Sequence, residues 1–292
     1  MQNAIGKPAG DKSDELTAIT RSGQSIFMSV YKTMVSGQCW LITITWCKNM
    51  LLHGLSVSID GGPRAETKCK VELKPWYFWR KQGSKSFALD GKAIEVCWDL
   101  KSAKFHGETE PSSEYYVAVV CDEEVVLLVG DMKKDAYRKT GCRPSLTNPV
   151  LVSRKEHVFG KKRFSSRVKF HETGRFHELS IESKDTSTDH GVDSEMEIRI
   201  DGHLMIQVKH LQWKFRGNEC INLKKVNIEV YWDVHDWLFS PGMRHALFII
   251  NLTSPAAAFP AASPASSGSS EGGDSSSGLY EFCLFLYAWK LE

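Results

Sequence analysis

The sequence has no run of about 18 consecutive apolar residues, which excludes a helical membrane span. Its eight cysteines include no CxxC and no Cys/His pairing at zinc-finger spacing, so nothing marks a zinc or dithiol redox site. It carries no Gly-rich phosphate loop, nucleophile elbow, HExxH, EF-hand loop or kinase signature. Enzyme classes that announce themselves by a local motif are thereby set aside; enzymes built from scattered residues are not. Helical periodicity is scarce, and GDMKKDAYRKTG (130–141) is the one modest candidate, with Asp131 as N-cap and Gly141 as stop. The first 24 residues lack the apolar core of a signal peptide and the arginines of a transit peptide, so residues 1–21 read as a disordered leader. The expected location is intracellular, in cytoplasm or nucleus.

What is present is an internal duplication. WRKQGSKSFALDGKAIEVCWDLKSAKF (79–105) lies without a gap over WKFRGNECINLKKVNIEVYWDVHDWLF (213–239), with nine of 27 pairs identical. Average composition would give about two. The identical pairs include Gly83/Gly217, Trp98/Trp232 and Asp99/Asp233. Upstream, SVSIDG (56–61) matches EIRIDG (197–202). One β-rich unit used twice is the economical reading. At 292 residues, 42% hydrophobic and 25% charged, the chain suits two domains of ordinary size, each with its own core.

Period-2 alternation supports that reading. Ile94, Val96, Trp98 and Leu100 share one strand face, and Ile228, Val230, Trp232 and Val234 do the same in the second copy. EIRI-DG-HLMIQV predicts a hairpin with a type I′ turn at Asp201-Gly202. Cys47, Cys69, Cys97, Cys121 and Cys283 sit in strand-like apolar runs, where a free thiol packs as a small hydrophobe. The first unit ends in the hairpin YYVAVV-CDEE-VVLLVG. The second ends in HALFIIN, an Ala/Pro/Ser/Gly tract, and GLYEFCLFLYAWKLE. Residues 253–278 therefore read as a disordered insertion at a hairpin tip, and the aromatic segment must return to pair with 244–251. Many short strands with frequent turn signals predict an all-β fold: two tandem homologous antiparallel β-sandwich or flattened-barrel units. The expected boundaries are 22–131 and 154–292, joined by a basic connector at 132–153.

Long phrases match a known family in order. They include SGQCWLITITWCKNMLLHGLSVSID, CKVELKPWYFWRKQGSKSF, GDMKKDAYRKT, RKEHVFGKKRFSS and QVKHLQWKFRGNE. Over roughly residues 23–250 the chain resembles a plant protein family known only as a domain of unknown function, number 868. The resemblance implies a plant intracellular protein and brings no catalytic or ligand residues with it.

Function must be read from the side chains. The repeated Trp-Asp pairs place Glu95/Asp99 and Glu229/Asp233 opposite the Trp face, where acids could line a groove as acid and base. Retention in both copies favours a structural role. His171 and His177 flank a turn, but zinc would need a further ligand. The strongest functional signal is charge. Between Asp131 and Lys169 twelve Lys/Arg face three acids, a net +9 in a chain of net +2. Arg154, Lys155, Lys161, Lys162, Arg163, Arg167 and Lys169 cluster around the Gly160-Lys161-Lys162 turn and form the candidate anion-binding set. Strand alternation would spread them over two faces. The expected activity is non-enzymatic binding or scaffolding. It involves an unidentified protein partner or weak contact with a polyanion, anionic lipid or nucleic acid, and no metal or organic cofactor. The competing reading is an enzyme or small-ligand carrier with a pocket in or between the units, lined by aromatics such as Trp76, Tyr77 and Trp79.

Overall fold

The computed structural model describes residues 25–48, 53–60, 66–73, 81–89, 91–170, 174–188, 191–223, 226–253 and 282–290. The leader, most of the 253–278 tract and the aromatic residues Trp76, Tyr77 and Trp79 lie outside the described residues. The fold is all-β. The first half supplies β1 (Ser25–Val35), β2 (Gln38–Lys48), β3 (His53–Asp60), β4 (Glu66–Leu73), β5 (Gln82–Leu89), β6 (Lys92–Asp99), β7 (Tyr116–Cys121) and β8 (Glu124–Gly130). Helix α1 (Lys133–Thr140), β9 (Arg143–Pro144) and β10 (Val150–Phe159) follow. The second half supplies β11 (Arg163–Lys169), β12 (Phe176–Thr188), β13 (Gly191–Ile200), β14 (His203–Val208), β15 (Arg216–Leu223), β16 (Val226–Asp233), helix α2 (His235–Phe239), β17 (His245–Thr253) and β18 (Phe282–Trp289).

Three open sheets result. A nine-stranded sheet runs β15-β16-β17-β18-β10-β1-β2-β3-β4; a four-stranded sheet runs β11 to β14, and a five-stranded sheet β5 to β9. None of them closes into a barrel. Alternation decides the burial. Along β2, Trp40, Ile42, Ile44 and Trp46 are buried while Leu41, Thr43 and Thr45 are not. Directly paired residues on neighbouring strands share a face. The register carries one row across the large sheet: Trp232, Phe248, Leu286, Glu156, Phe27, Trp46 and Leu55. Trp46 and Leu55 belong to the core formed with β5 to β8; Trp232, Phe248 and Leu286 belong to the core formed with β11 to β14. Both smaller sheets therefore pack on the same face of the large one.

The anticipated hairpins form. Asp201 and Gly202 both have positive φ, 49° and 80°, as a type I′ turn requires. The C-terminal segment returns to pair with β17, Leu252 opposite Phe282 and His245 opposite Trp289. Its other neighbour, β10, is parallel, with Ser153 opposite Cys283. Gly141 ends α1 in the left-handed region at φ 67° with its N–H on the Tyr137 carbonyl. Asp131 does not cap that helix. Met132 holds the N-cap position, and Asp131 Oδ1 instead accepts the Tyr115 N–H at 3.1 Å. Cys39, Cys97, Cys121, Cys142, Cys220 and Cys283 are in no disulfide.

Candidate anion-binding clefts beside the Gly160 to Lys162 turn

β10 lies in the large sheet and β11 in the four-stranded sheet, so the chain must cross from one layer to the other between them. Gly160, at φ 64°, makes that turn. Its N–H donates to the Trp289 carbonyl at 2.9 Å, and the Lys162 carbonyl accepts from the Ser183 N–H at 2.8 Å. The backbone is thus pinned at both ends, and the three basic side chains leave a fixed base.

Two clefts flank this turn. One, of about 520 Å³, has Phe27 and Val158 of the large sheet among its lining. Gly107, Glu108 and Thr109 of the first half line it together with Arg163, Ser165, Glu178 and Ser180 of the second. Lys48 and Lys161 complete its cations. Lys48 Nζ also donates to the Gly107 carbonyl. Among the described residues neither Lys161 nor Arg163 forms an ion pair. The second cleft, of about 500 Å³, is lined by Lys161, Lys162, Lys290, Trp237, Leu238 and Trp289, with Ser183 and Ser194. Lys161 borders both. Lys162 is paired with Asp185, whose carboxyl is held below its usual range by Lys162 first and by Ser194 second.

The other members of the basic set lie elsewhere. Arg167 and Lys169 follow Arg163 on the outward side of β11, and both cations sit over the exposed Phe176 ring, at 4.7 and 4.8 Å. Lys155 lies over the Phe285 ring on the opposite side of the large sheet. Arg154 points into the interior. Its guanidinium takes both oxygens of Glu110, at 2.9 and 3.3 Å, pairs with Glu156 and stacks 5.0 Å from Phe27. Burial works against its charge, but Glu156 and Glu110 outweigh that and hold it above its ordinary range. Burial pushes the Glu156 carboxyl up against the pull of Arg154. Ser166 Oγ donates to Glu156 Oε1 at 2.7 Å, while Oε2 is buried without a partner. This network joins the loop of Glu110 to β10 and β11. Spacing could not reveal it, because a cation facing inward looks the same in sequence as one facing out.

Asp99, Asp233 and His177, considered above for chemistry, have structural employment. Asp99 Oδ1 accepts the Lys101 N–H and Asp233 Oδ1 the His235 N–H, each at 3.1 Å, closing the turn after the strand. Asp233 also pairs with Arg216 at 2.8 Å. His177 Nδ1 meets Asp201 Oδ2 at 2.7 Å. His171 lies outside the described residues. No group of three or more His, Cys, Asp or Glu among the described residues could hold a metal ion.

One family model, that of a plant protein of unknown function (DUF868), matches residues 22–290. The chain belongs to that family. Neither a curated protein nor a solved structure matches it. The DUF868 match therefore spans both halves and the basic turn between them. No helix among the described residues is long and apolar enough to cross a membrane.

Proposed function

We propose that this DUF868 chain is a binding protein that takes an anionic group at the Gly160 to Lys162 turn. The observation that carries this reading is the convergence of Lys48, Lys161 and Arg163 on one cleft between the two halves. The lining hydroxyls of Ser165 and Ser180 can donate to phosphate-type oxygens. Glu108 and Glu178 on the same rim bias the site towards a localised anion over a uniformly charged surface. Arg167 and Lys169, stacked on Phe176, extend the positive track along β11. An intracellular setting fits the free thiols.

Two homologous units in tandem, 22–131 and 154–292, account for the internal correspondences. β5/β6 and β15/β16 keep the same register, Gly83 opposite Trp98 and Gly217 opposite Trp232. The Leu100 N–H bonds to the Lys81 carbonyl as the Val234 N–H bonds to that of Phe215. In this reading the connector, 132–153, holds α1, β9 and the first residues of β10, and the binding cleft arises where the copies meet. The second cleft supports an alternative, a small-ligand carrier, because Trp237 and Trp289 offer aromatic surface beside Lys161, Lys162 and Lys290.

The test compares wild type with Lys161, Lys162 and Arg163 all changed to Glu, on immobilised heparin and on anionic vesicles at low salt. Earlier elution and weaker vesicle binding of the triple variant are expected. Equal behaviour of the two proteins on both matrices refutes the proposal.

A further inference from the structure

The second cleft draws its walls from the second half of the chain. Lys161 and Lys162 come from the turn after β10, Ser183 and Asp185 from β12, and Ser194 from β13. Trp237 and Leu238 come from α2; Trp289 ends β18 and Lys290 follows it. Backbone bonds fix these walls beyond the pins already described at Gly160 and Lys162. The Lys290 N–H donates to the Arg244 carbonyl at 2.8 Å, and the Leu238 N–H to the carbonyl of fully buried Val234 at 3.0 Å. A site whose walls stand ready loses little freedom on binding. Its volume of about 500 Å³ is that of a small-molecule site.

Three features of the lining select the ligand. The first is charge. Asp185, the one acid among the lining residues, is taken by Lys162, and Ser194 Oγ donates to the same carboxylate at 2.9 Å. Lys161 and Lys290 form no ion pair among the described residues, so the cleft keeps two uncompensated positive charges. The second is aromatic surface. Trp289 is locked, stacked on Phe159 at 5.8 Å with its Nε1 donating to His157 Nδ1 at 3.1 Å. Trp237 is only partly buried, and no aromatic ring among the described residues lies against it. The third is Ser183, 8% exposed, whose hydroxyl has no hydrogen-bond partner among the described residues and can donate to an anion. A neutral ring here would crowd two lysines without pairing them. A bare inorganic anion would leave the Trp237 face unused, although a second ring fits such a face well. The cations are lysines, point charges that suit one compact acid group.

We propose that the second cleft binds a small planar aromatic acid, with its ring on Trp237 and its anionic group held by Lys161, Lys290 and the Ser183 hydroxyl. The proposal rests on the carrier reading of this cleft and gives that reading a ligand class. It does not require the first cleft to bind anything, since Trp237, Ser183 and Lys290 line only the second.

Isothermal titration calorimetry of the full chain with naphthoate tests this. A dissociation constant on the order of 100 μM is expected, ordinary for a ligand of about 13 non-hydrogen atoms. Naphthamide has the ring without the charge, and cyclohexanecarboxylate the charge without the aromatic ring. Each should bind about tenfold more weakly or worse. Trp237→Leu should weaken naphthoate about tenfold and elute from heparin like wild type, because no charge changes. Lys290→Gln, at an exposed position, should weaken it about three- to fivefold and carries the test if Trp237→Leu loses its cooperative thermal transition. The proposal is overturned by no binding of naphthoate, by equal binding of naphthamide or cyclohexanecarboxylate, or by wild-type affinity in the folded variants. None of these results alters the heparin and vesicle comparison, so failure of this site and failure of the first cleft are told apart.

Discussion

Gly217→Ala should destabilise the chain although the backbone there suits any residue. A methyl group at Gly217 would stand 2.3 Å from Trp232 Cζ2 and 2.8 and 2.9 Å from two further atoms of that ring. No carbon pair tolerates that, so the indole must leave its buried seat. Overpacking of this kind costs about 1–3 kcal/mol. Displacing the ring also breaks the 3.0 Å bond from Trp232 Nε1 to the Lys214 carbonyl, a further loss of about 1 kcal/mol. Replacing Gly stiffens the unfolded chain and returns about 0.5 kcal/mol. The net is a loss of roughly 2–3 kcal/mol, or about 5 °C in melting temperature for a chain of this size. At Gly83 the corresponding approach to Trp98 Cζ2 is 3.0 Å, and a shift of a few tenths of an ångström absorbs it. Gly83→Ala should therefore lie within about 1 kcal/mol of wild type. Trp232→Phe deletes the ring atoms that the methyl strikes, so Gly217→Ala should cost little in that background, a coupling of about 1–2 kcal/mol. Urea denaturation of the four proteins gives the cycle. A Gly217→Ala variant as stable as wild type, or a penalty undiminished beside Trp232→Phe, would refute the packing argument.

Arg154→Met should cost about 3–5 kcal/mol, because it leaves Glu156, 1% exposed, without its cation. Glu156 is already raised by burial, so between its unfolded and folded values the folded chain binds more proton than the unfolded chain does. Its contribution is most favourable in acid and falls as pH rises from the unfolded value, about 4.3, through the folded one. Removing Arg154 lets that pKa rise further, so the variant's deficit should grow as pH rises above the unfolded value; a constant or shrinking deficit in denaturation curves would contradict this. Replacing residues 254–281 with a four-residue turn should preserve the fold and shift stability by no more than about 2 kcal/mol, since closure entropy changes by about 0.6 kcal/mol per doubling of loop length. Loss of cooperative unfolding in that variant would show that β17 and β18 need the tract.

The strands were legible because alternation of side chains is a local property: IEVCWDL and VNIEVYW each declare one buried face. The Asp201-Gly202 turn and the Gly141 stop were legible for the same reason, since both are demands on backbone φ. Neighbours in the sheet were not. Nothing in FCLFLYAW says that it lies between β17 and β10, parallel to one and antiparallel to the other. Alternation assigns a face, and pairing depends on how distant segments share a core. Asp131 carries a capping side chain, yet a tertiary contact with Tyr115 uses it. Helix α2, five residues long, is too short to show a period. In the basic segment the turn at Gly160 was visible. That Arg154 is an interior charge and Lys161 a rim charge depended on strand order, which the spacing does not contain.

Salt dependence of binding tests the central claim most directly. A short polyphosphate titrated into the full chain at several salt concentrations should bind with a log–log slope near −2, as expected for about two to three phosphate contacts at Lys48, Lys161 and Arg163 at ~0.7–0.9 each. Changing Lys161 and Arg163 to Glu should flatten that slope towards zero and weaken binding at every salt concentration. An unchanged slope and affinity in the double variant would contradict the assignment of the cleft.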